Sequence, residues 1–287
     1  MINQFEITNL PAAYLLIALF ALVIGSLLNV IIYRLPLMLA ENLRKDCCRL
    51  LHLPEENQSS INLFFPRSFC PNCKTTIPAY YNLPLLGYLL QRGRCRSCKQ
   101  AISLRYPLVE ILSGILALFA VWHFGFNLHL IFALLCVWIL LTLFFIDLEQ
   151  QLLPDSLTLG LLWLGLLANT QNLFTSLPNA VISAAAAYLS LWLFIQLFYL
   201  FTNKIGMGHG DFKLFAAFGA WFGWTQLPFI LLFASFAGAI IGIVYLRIQK
   251  KTKDTPIPFG PFLCFAGLIS LFWGDKLLHW YLTHWFF

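Results

Sequence analysis

Charge is scarce in this chain. Asp, Glu, Lys and Arg make up 10% of its 287 residues, where an ordinary soluble domain carries about 25%. With 60% hydrophobic residues and a mean hydropathy of +0.78, too little polar surface remains to cover a soluble globule, and the chain reads as a polytopic membrane protein. Several motifs are missing as well. There is no Gly-x-Gly-x-x-Gly, no His-Glu-x-x-His, and no evident Ser or Cys nucleophile with a partnered His, which argues against a dinucleotide fold, a zinc peptidase and a serine peptidase. Neither an internal repeat nor a low-complexity segment is found. The net charge of +6 does not point to nucleic acid, because the basic residues cluster in loops between apolar runs, where they set topology and meet lipid headgroups.

What is present is a series of long apolar runs. The first, Ala13–Tyr33, is preceded by Glu6 and by no Lys or Arg, and is followed by Arg34 and Pro36 rather than a small-residue cleavage site. It is therefore expected to be a retained helix and not a signal peptide. Further runs near 107–122, 128–146, 157–173, 178–201, 212–225, 228–246 and 260–282 bring the expected total to about eight transmembrane helices, the 212–225 run being short for a full crossing. The fold class expected is all-α, with three regions: a first transmembrane helix over 1–33, a cytoplasmic metal-binding domain over 34–106, and a membrane-embedded catalytic domain over 107–287.

Residues 34–106 hold eleven of the 18 Lys and Arg residues, and Lys204, Lys213, Arg247, Lys250, Lys251 and Lys253 fall in loops of the same parity. The positive-inside rule places these loops in the cytoplasm and the N-terminus outside. Two runs separate Asp147 from Asp211, and an even number of crossings returns the chain to the same side. Both carboxylates are thus expected at the cytoplasmic edge of the membrane.

Ionisable groups at such an edge are costly, and by default they mark function. The acids in question are Glu110, Asp147, Glu149, Asp155 and Asp211. Asp155 follows Pro154 and suits a helix N-cap. Glu149 suits a solvent-facing position, and Glu110 suits pairing with Arg105 or a substrate role. Asp147 and Asp211 remain as a pair able to share a proton, as in an aspartic-protease site. Asp211 lies in Gly206-Met207-Gly208-His209-Gly210-Asp211, whose glycines permit positive φ and close backbone approach. The apolar flank of Asp147, at the C-terminal end of a helix, disfavours a second anion there, whereas Asp211 opens a helix whose free N–H groups favour one. From this the resting proton is expected on Asp147.

Cys70-Pro-Asn-Cys73 and Cys95-Arg-Ser-Cys98 are two CxxC pairs at zinc-ribbon spacing, and four thiolates make a closed, structural zinc site. Cys136 and Cys264 lie within apolar runs as small packing residues. Cys47 and Cys48 read as ordinary loop residues.

With these residues in hand, the chain resembles the type IV prepilin peptidases, the prepilin leader peptidase/N-methyltransferases, over nearly its whole length. Gly25-Ser-Leu-Leu-Asn29 with Tyr33-Arg34-Leu-Pro36 is similar to that family's first-span signature. Cys70, Cys73, Asn82-Leu-Pro84, Cys95, Cys98 and Arg105-Tyr-Pro-x-x-Glu110 resemble its zinc-bearing loop. The stretch around Asp147 resembles the first catalytic segment, Gly208-His-Gly-Asp211 is similar to the GxGD motif, and Pro258-Phe-Gly-Pro261 to the last-span signature. The resemblance implies a bifunctional enzyme of the bacterial inner membrane with its site at the cytoplasmic face. Asp147 and Asp211 would cleave the basic leader from prepilins and pilin-like precursors of type II secretion. The new N-terminal residue would then be methylated with S-adenosylmethionine, and Cys70, Cys73, Cys95 and Cys98 would hold zinc. From the residues alone, a proton-coupled transporter using the same acids or a non-enzymatic assembly scaffold stays open.

Overall fold

Apolar runs without water to bond their backbones must satisfy every N–H and C=O internally, and helices do so. The computed structural model describes residues 4–53, 62–203, 207–249 and 258–285. Its helices are α1 (Gln4–Leu50), α2 (Leu86–Leu90), α3 (Arg105–Phe124), α4 (Leu128–Gln150), α5 (Asp155–Asn169), α6 (Leu177–Thr202), α7 (His209–Phe222), α8 (Leu227–Gln249) and α9 (Gly260–Trp285), with a short 3₁₀ turn at Ala79–Asn82. No strand is present among the described residues, only isolated bridges in the cysteine segment. Lys204, Lys250, Lys251, Lys253 and Gly206 lie outside the described residues.

Among the described residues, six helices are long and apolar enough to cross a membrane: α1, α3, α4, α6, α8 and α9. The 15 residues of α5 and the 14 of α7 span only about 22 and 21 Å, less than the roughly 30 Å of hydrocarbon. The apolar run at 157–173 is longer than its helix because Asn169 stops it. The Asn169 side chain accepts the N–H groups of Phe174 and Thr175 and donates to the carbonyls of Ala220 and Trp221, so the ends of α5 and α7 close on one buried amide. Helix α1 runs on to Leu50, seventeen residues beyond the end of its apolar run at Tyr33.

Two compact units divide the chain, residues 1–122 and 123–287. In the first, α1 and α3 approach closely: a Cβ on Gly25 would lie 2.7 Å from the Glu110 Cα, Ser113 Oγ donates to the Ala21 carbonyl at 2.7 Å, and Asn29 Nδ2 donates to the Tyr106 carbonyl at 3.0 Å. In the second, α7 is the central element. It packs on α5, α6 and α9 and is buried from Asp211 to Phe222 except at Lys213. Gly219 is what lets α6 come so near, since a Cβ there would lie 2.6 Å from the Ser183 carbonyl oxygen.

Candidate active site

The second unit gathers three chain segments at one end of its helices. Asp147 lies in the last turn of α4, which closes where Gln151 adopts a left-handed φ of 52° and donates to the Asp147 carbonyl at 2.9 Å. Asp211 lies in the first turn of α7, whose N-cap is Gly208. Gly260 opens α9. The carboxyl groups of Asp147 and Asp211 are near enough for the charge of one to act on the other, and both side chains are buried, at 5% and 8% exposure. Asp147 Oδ2 and Asp211 Oδ1 are buried without a hydrogen-bond partner among the described residues. Two acids placed this way in an apolar pocket cannot both carry charge cheaply.

The glycines here serve close approach. Gly208 has an ordinary φ of −77°, so the positive φ a glycine permits is not used there. At Gly210 a Cβ would fall 2.7 Å from the Leu153 Cβ, which shows how tightly the segment after α4 seats against the start of α7. At Gly260 a Cβ would fall 2.6 Å from Asp147 Oδ2 and 3.1 Å from Leu153 Cδ1, and its backbone N–H lies beside the Asp147 carboxylate. Asp147 therefore ends its own helix but faces the N-terminus of another. This removes the helix-end asymmetry from which its protonation had been expected, because both carboxylates now meet helix N-termini.

The remaining acids have other partners. Asp155 does not cap α5, whose N-cap is Pro154. Its carboxylate instead receives Lys213 Nζ at 2.6 Å on both oxygens, which ties the first turn of α5 to that of α7. Glu149 is exposed, and His209 stacks edge-on against Phe212. Glu110, in the other unit, accepts the Leu85 backbone N–H at 2.8 Å. Cys136 and Cys264 are fully buried, and Cys264 lies one turn beyond Gly260, close enough to feel both aspartates. Sequence reasoning missed Gly260 and Leu153 as parts of this site. The Pro258-Phe-Gly-Pro261 motif was the available signal, but nothing in it says which residue the glycine must make room for.

The cysteine segment of the first unit folds as two matching knuckles. In each, the residue after the second cysteine takes a left-handed φ, 59° at Lys74 and 60° at Lys99, and donates its N–H to the first cysteine's carbonyl at 2.9 Å. All four Sγ atoms lie within 4.8 Å of one another, with Cys70–Cys98 at 3.8 Å and Cys73–Cys95 at 3.9 Å. A tetrahedron of sulfurs about 2.3 Å from zinc has edges of about 3.8 Å, so the donor set fits that ion. The hydroxyl and backbone N–H of Thr75 bring the Cys73 thiol down to about 6, and the N–H groups of Cys98 and Ser97 lower that of Cys95. Both effects favour the thiolate a metal requires.

Comparison with known proteins agrees with both halves. Residues 19–124 match the bacterial Peptidase A24 N-terminal domain, and residues 134–243 match the type IV leader peptidase family. A prepilin leader peptidase/N-methyltransferase of Legionella pneumophila is 59% identical over 286 residues, covering 99% of this chain and 100% of the relative. Proteins of the same description from Pseudomonas aeruginosa and Neisseria gonorrhoeae are 48% identical (95% of this chain, 94% of the relative) and 42% identical (96% of each). No solved structure matches.

Proposed function

Since the chain belongs to the type IV leader peptidase family, we propose how it acts: as a multi-pass membrane enzyme that cleaves the leader from prepilins and methylates the exposed N-terminus, with Asp147 and Asp211 as the peptidase pair. The observation that carries this is their convergence as buried acids with unpartnered oxygens at one end of α4 and α7. A water held between them is deprotonated by the ionised carboxylate as it attacks the scissile carbonyl carbon. The protonated carboxyl donates to the oxygen that gains charge. Collapse of the tetrahedral intermediate breaks the C–N bond, and the proton taken from water passes to the leaving amine.

The basic loops support a cytoplasmic placement for this end of the molecule, in the inner membrane, and basic-leader precursors of pilins and pseudopilins as substrates. The three-region organisation, 1–33, 34–106 and 107–287, is part of the same reading. Cys70, Cys73, Cys95 and Cys98 hold one structural zinc, whose closed sulfur shell leaves no position for chemistry. The methyltransferase step uses S-adenosylmethionine. The described residues form no parallel sheet with a glycine-rich turn, so none is assigned to that donor. Purified protein incubated with a precursor peptide tests the reading. Cleavage lost in both Asp147→Asn and Asp211→Asn supports it, while proton flux without proteolysis would belong to a transporter.

A further inference from the structure

The basic segment between the two knuckles carries a bare apolar face. Leu83, Leu86, Leu89 and Leu90 are all more than half exposed, with Leu89 at 67% and Leu90 at 66%. A water-facing loop has no reason to present four leucines together. Two anchors show how deep this stretch sits. Leu85 N–H bonds to Glu110, five residues and about 7.5 Å into α3 from its charged start at Arg105. Asn82 receives Ser26 Oγ at 3.5 Å, seven residues and about 10 Å inside the end of the α1 apolar run at Tyr33. The two anchors agree with each other, because Gly25 packs on Glu110 and Asn29 bonds Tyr106 in the same antiparallel register. Asn82 and Leu85 are therefore held at the depth of the spans, where α3 also exposes Leu108 and Ile111.

We propose that the Leu83–Leu90 segment is an interfacial insertion, with α2 lying in the cytoplasmic leaflet and its leucines in contact with lipid acyl chains. Much of its backbone is paired, as lipid favours. Gly87, Leu89 and Gln91 donate within the helix, Leu86 donates to the Pro84 carbonyl, and the Leu85 N–H, which lacks a helical partner, goes to the Glu110 carboxylate. This gives the buried Glu110 a positioning task outside catalysis. The exposed Arg92 and Arg94 follow directly, where an amphipathic surface helix places its basic groups against anionic headgroups. The leaflet thus completes the domain that carries the cysteines.

The test uses the full chain in nanodiscs containing anionic phospholipid, with a dansyl amino acid incorporated at position 89 and, in separate samples, at 86, 96 and 115. Lipids brominated on the acyl chain quench dyes that touch hydrocarbon. Positions 86 and 89 should be quenched within about a factor of two of position 115 in α3, with blue-shifted emission, and position 96 should not be quenched. If 86 and 89 behave like 96, the insertion is wrong. Emission at 89 that is blue-shifted but unquenched, or that changes only when precursor peptide is added, would assign the face to protein and overturn the proposal equally. A Glu110→Gln variant that keeps its zinc should still show quenching at 89, but weaker, since an amide oxygen is a poorer acceptor for the Leu85 N–H. Unchanged quenching there would remove Glu110 from the positioning role.

Discussion

Lys213 Nζ lies 2.6 Å from both carboxylate oxygens of Asp155, joining the turn that follows Asp147 to the turn that carries Asp211. The ion pair is a strut between the two segments that must meet. It is also partly solvated, with the Asp155 side chain 60% exposed, and pairs of that kind are worth about 0–1 kcal/mol. Asp155→Asn is accordingly expected to keep substantial cleavage activity and to lower stability by less than about 1 kcal/mol. Thermal unfolding in detergent and the cleavage rate, measured on the same preparation, check both halves.

Asp147→Asn and Asp211→Asn should each reduce cleavage to background, because either change removes the shared proton arrangement while keeping the size of the side chain. Both variants should insert normally and retain zinc. Full cleavage by either one would break the pair. The pH profile of the intact enzyme should be bell-shaped, with two separated macroscopic values belonging to the dyad as a whole. Activity falls at low pH as the base is protonated and at high pH as the acid loses its proton.

Gly260→Ala should slow cleavage far more than it weakens precursor binding, since the new methyl group would strike Asp147 Oδ2 and shift it from its partner. Misplacement of about 1 Å can cost on the order of 10²-fold in rate. Gly160→Ala is the matched control, because nothing lies within 4 Å of a Cβ there, and its kcat should be unchanged. Adding Leu153→Ala to Gly260→Ala relieves the 3.1 Å contact with Leu153 but not the one with Asp147. Recovery of kcat in that double variant would move the cause from the carboxylate to the leucine.

Elemental analysis of the purified protein should find about one zinc per chain. Replacing Cys70 and Cys73 by Ser should abolish it. The Cys73 thiol, at about 6, lies below an ordinary thiol, which favours its thiolate at neutral pH. Acidification returns protons to the sulfurs and releases the zinc, and a chelator-dye titration reads the loss directly.

Much of this was legible from the chain alone. The apolar runs fix an all-helical membrane fold because lipid offers the backbone no partner. The two CxxC pairs name their ligand geometry, because a knuckle is a local turn built within five residues. Counting crossings could not establish that Asp147 and Asp211 meet, because the count takes the 157–173 run as a full span and its helix α5 is only 15 residues long. What the chain could not say is which helix end each carboxylate meets. Asp147 belongs to α4 by sequence but faces the N-terminus of α9, more than a hundred residues away, and only close packing at Gly260 reveals it. The same holds for Asp155, a plausible cap that pairs instead with Lys213, and for Glu110, whose partner is a backbone N–H in a loop 25 residues earlier. Residue type and local spacing determine what an element is and what chemistry it offers. Which polar group satisfies another across the fold depends on helix register and on where a missing Cβ allows two backbones to touch, and that is decided only in three dimensions.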